Sequence, residues 1–119
     1  MSTNIVQYVI VRRDVLKTLK WPVGALIAQA CHACTAAIHM FYQNPDTQTY
    51  LADLDRMHKV ILEAKDEASL RDLSSTLTEN SIDHKLWIEQ PEDTPTCVAV
   101  RPYNKEIVQQ YFKEFKLFR

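Results

Sequence analysis

Glycine is almost missing from this 119-residue chain, where Gly24 stands alone. Collagen-like and glycine-rich disordered sequence are thereby excluded. Cysteine is scarce as well. Three cysteines cannot all pair within the chain, so Cys31, Cys34 and Cys97 read as reduced thiols in a reducing compartment. No apolar run approaches the roughly 20 residues of a membrane span. The longest apolar stretch, Val23 to Ile38, is interrupted by Gln29, His32 and Thr35, and no membrane partner is expected. The opening Met1-Ser-Thr-Asn-Ile has no basic region followed by an apolar stretch, so no secretory signal is predicted and the expected compartment is the cytosol. Net charge is −1, which gives no general push toward nucleic acid.

What is present is ordinary for a folded protein. Hydrophobic residues make up 46% and charged ones 24%, which is enough apolar material for a core without staples. The length fits a single domain over residues 1–119. The charge is unevenly spread. Arg12, Arg13, Lys17 and Lys20 stand against Asp14 alone, and Arg101, Lys105, Lys113, Lys116 and Arg119 against Glu106 and Glu114. Between Glu63 and Asp93 lie nine acidic residues and three basic ones. The two basic ends would make a phosphate-binding surface if the fold joined them, and solvated surface if it did not.

Hydrophobic periodicity predicts the elements. Ile5 to Arg12 is β-branched and aromatic, a buried strand. Asp14 to Lys20 reads as a polar, basic loop. Pro22 suits the first position of a helix, along which Leu26, Ile27, Ala30, Cys31, Cys34, Ala37, Ile38 and Phe41 recur at helical spacing. Asn44-Pro45 ends it, and Asp46 caps a second helix to about Met57. Lys59 to Ala64 is a strand, Asp66 caps a helix through Asn80, and His84 to Glu89 is a strand with Trp87 on the face opposite Leu86 and Ile88. Gln90 to Pro95 turns the chain into an antiparallel strand, Thr96 to Arg101. Asn104 caps a last helix to about Phe115. The order β-α-α-β-α-β-β-α predicts a three-layer α/β/α sandwich with a four-stranded mixed sheet. Ligands of such sheets favour the crevice beyond the carboxyl ends of parallel strands, here the basic loop after the first strand.

Two patterns carry chemistry. Cys31-His32-Ala33-Cys34 has the CxxC form, but a zinc site takes about four ligands. Cys97, His58 and His84 supply no second pair at metal spacing, so these cysteines read as helix packing and no metal is expected. On the same helix Ala25, Gln29, His32, Ala36 and His39 step by four, three, four and three, which places them on one face. Gln29 and His32 are either a hydrogen-bonded pair at the core boundary or part of a site.

The segment Val6-Gln-Tyr-Val-Ile-Val-Arg-Arg-Asp14, followed by Trp21-Pro-Val-Gly-Ala-Leu-Ile-Ala-Gln-Ala-Cys-His-Ala33, resembles the opening of the archaeal/eukaryotic type of peptidyl-tRNA hydrolase. Thr96-Cys-Val-Ala-Val-Arg-Pro102 is similar to the family's final strand, and the resemblance spans about residues 5 to 113. A divergent branch of the family shares Trp-Pro-x-Gly-Ala, Ala-Gln-Ala-Cys-His-Ala and Leu-Trp-x-Glu-Gln-Pro-Glu. The resemblance implies hydrolysis of the ester joining a peptide to the 3′ end of tRNA, with no cofactor and no metal, by a homodimer.

Such a reaction needs an activated water, a donor to the developing oxyanion and cations for phosphates. Carried over by position, the family's aspartate falls on Glu89 and its strand-opening threonine on Thr96, while Gln29 and His32 match directly. The resemblance then assigns Glu89 to orient or activate water. Thr96 positions water or the carbonyl, Gln29 and His32 support the ester end, and Arg12, Arg13, Lys17 and Lys20 meet phosphates. Two departures stand out. The family's helix lysine is replaced by Ala25, and the loop before the last strand is shorter, with Thr94 as the stand-in for its first threonine. These departures favour an alternative of a different class, a non-catalytic module binding tRNA or a protein on the same fold.

Overall fold

A computed structural model describes residues 4–119. The β-branched run forms β1 (Ile5–Arg12), buried from Val6 onward. It is buried because it is central: it pairs in parallel with β2 (Lys59–Ala64) and antiparallel with β4 (Thr94–Val100), whose outer neighbour is the antiparallel β3 (His84–Glu89). Two further strands, β5 (Tyr103–Asn104) and β6 (Lys116–Leu117), pair with the start of β1 and the free edge of β2. The mixed sheet therefore has six strands where four were expected, in the order β3-β4-β1-β2-β6 with β5 beside β1. The two additional strands are two residues long, too short for any period-2 pattern to register.

Five helices accompany the sheet: α1 (Val15–Thr18), α2 (Val23–Met40), α3 (Pro45–Ala52), α4 (Glu67–Glu79) and α5 (Lys105–Val108). Asp66 caps α4 by accepting from the Ser69 N–H at 2.8 Å, and Asn104 caps α5 by accepting from Glu106 N–H at 3.0 Å. Asn44, rather than Asp46, caps α3, with Pro45 in the first turn. That helix stops at Ala52 and is followed by a 3-10 turn, Leu54–Arg56. The last helix also tightens into a 3-10 turn, Gln109–Phe112, which places Phe112 on Tyr8 with ring centroids 4.4 Å apart. The expected loop 14–20 holds the one-turn helix α1.

Alternation along β1 divides the apolar side chains into two clusters. Val6, Tyr8 and Ile10 join Leu62, Val98 and Val100 against Leu70, Leu73 and Leu77 of α4. Val9 and Val11 join Cys97 and Ala99 against Leu26, Ala33 and Ala37 of α2. The inward face of α2 corrects the expected stripe. Leu26, Gln29, Ala33 and Ala37 are buried, whereas Ile27 is 59% exposed and Cys31 is exposed. The helix is rolled so that Gln29 points inward to a bond with Thr96, and the outer apolar residues turn to solvent. Packing thus describes Cys97 fully and Cys34 in part, but not Cys31. By length and composition alone α2 reaches the range of a membrane span, with mean hydropathy 1.3. Here one of its faces lies on the sheet.

A polar cluster sits between α2, α3 and β2. Gln7 is fully buried and donates to the Val100 carbonyl at 3.1 Å, while the Lys59 ammonium donates to Gln7 Oε1. Tyr50 donates to the His58 carbonyl at 3.0 Å, and burial pushes its hydroxyl up to about 12. A phenol whose folded value lies above the unfolded value of roughly 10 stabilises the fold fully below pH 10. That contribution is lost as pH rises toward 12. Tyr50→Phe should therefore lower the melting temperature modestly at neutral pH but flatten its decline above pH 10. Parallel melting curves for the two proteins across that range would contradict this.

Candidate active site

The carboxyl ends of β1, β2 and β3 and the amino end of β4 lie at one end of the sheet, a consequence of the pairing directions. Glu89 ends β3, Thr94–Thr96 open β4, Arg12 ends β1, and Glu63 in β2 pairs with Lys116 in β6. At roughly 4.8 Å between neighbouring strands, this row spans about 19 Å.

Glu89 stands opposite Thr94 in the β3–β4 ladder. One β4 residue has no partner: Cys97 faces Trp87 and Pro95 faces Ile88, so Thr96 is the extra residue of a bulge. Proline 95 has no N–H to give the ladder, which suits an irregularity there. Alternation alone would send Thr96 to the same side as Val98, toward α4. The bulge turns it toward α2 instead, where its buried hydroxyl donates to Gln29 Oε1 at 2.9 Å. That bond leaves the Gln29 amide N–H groups to donate elsewhere. The register places Glu89 on a diagonal from Thr96, where α-carbons lie about 7–8 Å apart.

Trp87 lies two residues before Glu89 on the same side of β3 and donates its indole N–H to Glu89 Oε1 at 3.2 Å. The exposed His32 of α2 stacks on the Trp87 ring, with centroids 4.9 Å apart and planes inclined by 24°. Gln29, His32, Glu89 and Thr96 thus gather on the α2 side through two links, Thr96–Gln29 and Glu89–Trp87–His32. Half-buried Ala25 lies one turn before Gln29 on the same flank of α2, and Gly24 beside it has open space around its α-carbon.

The expected phosphate contacts separate. Arg12 is turned inward: it grips Asp14 through Nε at 3.0 Å and a second nitrogen at 2.7 Å, and donates to the Pro95 carbonyl at 3.1 Å. The Asp14 hydrogen bond raises its pKa further. Arg12 therefore ties the end of β1 to the start of β4, and its guanidinium is occupied. Arg13 lies 3.5 Å from Glu63, over the Phe118 ring at 4.8 Å, and donates to the Arg119 carbonyl. Lys17 and Lys20 are exposed, Lys20 in the left-handed region at φ 55 where the chain turns into α2.

The two basic ends of the sequence do meet, at Arg13, Lys116 and Arg119, which with Glu63 and Leu117 line an open cleft of about 530 Å³. Arg101 does not join them. It is buried over the Tyr103 ring at 3.5 Å and bonded to Asp83 at 3.0 Å. Lys116, Arg119 and Trp87 are the side chains that site reasoning from sequence missed. The charge count had marked the C-terminal run, but only the β2–β6 pairing selects which of its members reach the site end. Among the described residues, no group of three or more His, Cys, Asp or Glu side chains could hold a metal ion.

Comparison with known proteins finds relatives over nearly the whole chain. Two relatives, both named "Putative peptidyl-tRNA hydrolase PTRHD1", come from Mus musculus and Homo sapiens. Each is 53% identical to this chain over 116 residues, covering 97% of this chain and 83% of the relative. Residues 5–118, from the first residue of β1 to the Phe118 that packs against the core cluster on the α2 side of the sheet, match the family described as peptidyl-tRNA hydrolase PTH2, and the chain belongs to that family.

Proposed function

We propose that the chain hydrolyses the ester between a peptide and the 3′ end of tRNA. The observation that carries this reading is the joining of Thr96 to Gln29 and of Glu89, through Trp87, to His32 at one end of the sheet. Glu89, with one carboxylate oxygen held by the indole, takes a proton from the attacking water and returns it to the ribose 3′ oxygen as the acyl C–O bond breaks. Thr96 is fully buried and donates its hydroxyl hydrogen bond to Gln29 Oε1, so it positions the water or the carbonyl through the Gln29 amide. The free Gln29 amide donates to the carbonyl oxygen as negative charge develops there. Lys17, Lys20 and the Arg13–Lys116–Arg119 cleft meet phosphates at the margins. Arg12 shapes the site rather than touching tRNA. The same reading carries a three-layer α/β/α arrangement, the cytosol as compartment, no cofactor, and the homodimer that the family resemblance implies.

Ala25 sets the level of activity. It lies on the flank of α2 shared with Gln29 and His32, where the family has a lysine. A lysine stem can lie along the half-buried surface there and carry its charge outward. Ala25→Lys should raise peptidyl-tRNA hydrolysis on the order of 10-fold, since a placed cation stabilises a developing oxyanion. The measurement is release of peptide from peptidyl-tRNA by the pure protein, beside a relative with the full motif. No turnover by wild type or Ala25→Lys, with an active control, would leave a non-catalytic tRNA- or protein-binding module.

A further inference from the structure

Trp87 is the side chain that links His32 to Glu89. Its ring edge is fixed by the N–H bond to Glu89, and its face is covered by the His32 imidazole at 4.9 Å. His32 is nevertheless exposed, so the imidazole face turned away from Trp87 is open to solvent. Two rings already stacked, the inner one half-buried and hydrogen-bonded and the outer one bare, are the beginning of a base stack. We infer that His32 and Trp87 form a platform on which the terminal adenine of tRNA stacks. The inference rests on the hydrolase reading and names how its substrate is recognised.

Three arguments favour a nucleobase over a peptide side chain. Every purine and pyrimidine offers a flat π face, and stacking on an aromatic ring is a principal source of affinity for single-stranded ends. The terminal adenosine is common to every tRNA, whereas the residue at the other side of the ester varies, so a fixed aromatic surface suits the constant group. Position agrees as well: only the ribose separates the base from the ester, and the indole that backs the platform also holds the Glu89 carboxylate. A base seated on His32 therefore brings the ester to the carboxylate without further contacts. The platform is preorganised, because Trp87 is fixed before substrate arrives and little side-chain freedom is lost on binding.

The test compares binding of intact tRNA with the same tRNA lacking its terminal adenosine, to wild type, His32→Ala, His32→Phe and Trp87→Phe. Wild type should prefer the intact tRNA by about tenfold. That preference should vanish in His32→Ala and persist in His32→Phe, which restores a flat ring but no imidazole nitrogen. Trp87→Phe keeps a ring beneath the base and removes the N–H held by Glu89, so the preference should persist while turnover falls. His32 is exposed, so the two His32 variants should melt within a few degrees of wild type. His32→Phe behaving like His32→Ala, or wild type binding the two tRNAs equally, would overturn the platform. Because the readout is binding, it is independent of the hydrolysis assay. A protein without turnover could still show the adenosine preference, and an active one could lack it.

Discussion

Replacing Glu89 by glutamine should lower peptidyl-tRNA hydrolysis by about 10²-fold or more while tRNA affinity changes little. The amide keeps the size of the side chain and can still accept the Trp87 indole N–H through its oxygen, so the 3.2 Å contact survives. What disappears is the capacity to take a proton, and general-base catalysis contributes about 10²–10⁴ in rate. An interaction used only in the transition state lowers kcat and kcat/KM together and leaves substrate binding alone. The competing account, in which Glu89 merely orients Trp87, predicts near wild-type turnover in Glu89→Gln and a loss only in Glu89→Ala. Wild-type turnover in the glutamine variant would therefore remove Glu89 as the base. The Thr96–Gln29 pair supplies a second arm. Thr96→Val keeps shape but leaves Gln29 Oε1 buried without its donor, which combines a loss of rate with about 1–3 kcal/mol of stability.

The strands were the most legible part of the molecule. β1, β2 and β3 fall at the residues expected of them, because β1 and β2 are predominantly apolar, β-branched runs and β3 sets Leu86 and Ile88 against Trp87. What alternation could not show was its own interruption. The bulge at Thr96 reverses the side to which that residue points, and no composition signal distinguishes it from the regular strand that follows. It brings Thr96 to Gln29, so the Thr96–Gln29 link of the site depends on a single irregularity. The α2 stripe was misread for a related reason. Ile27 and Cys31 look like core residues by hydrophobicity, but the helix is rolled so that Gln29 is buried with Leu26, Ala33 and Ala37 and accepts from the Thr96 hydroxyl. The placement of Glu89, Thr96, Gln29 and His32 at one end was legible through the resemblance. Trp87 was read only as the opposite face of a strand, since an aromatic in a strand gives no sign of whether it packs inward or backs a site.

Arg12 was read as a phosphate contact because it belongs to a basic cluster, and charge counting cannot see burial. Its side chain is 8% exposed and its partner Asp14 19% exposed, so their pairing is shielded from solvent. Removing one member of such a pair strands the other, which costs about 3–5 kcal/mol when both are deeply buried. Asp14 keeps some access to water, so Arg12→Met should destabilise the protein by about 3 kcal/mol, near the lower end of that range. In a chain of this length that corresponds to roughly 10 °C in melting temperature. The Pro95 carbonyl, which accepts from Arg12 at 3.1 Å, loses its donor at the same time, and Pro95 directly precedes the bulge. Hydrolysis should therefore fall through kcat, with Thr96 displaced from Gln29. A phosphate contact predicts the opposite signature: unchanged stability, weaker tRNA binding and a shallower dependence of affinity on salt. Adding Asp14→Asn to Arg12→Met should recover part of the lost stability, because the stranded carboxylate is then neutral. Denaturant midpoints of the two single variants and the double variant measure that coupling. An Arg12→Met protein as stable as wild type, with a reduced salt slope for tRNA, would return Arg12 to the substrate surface.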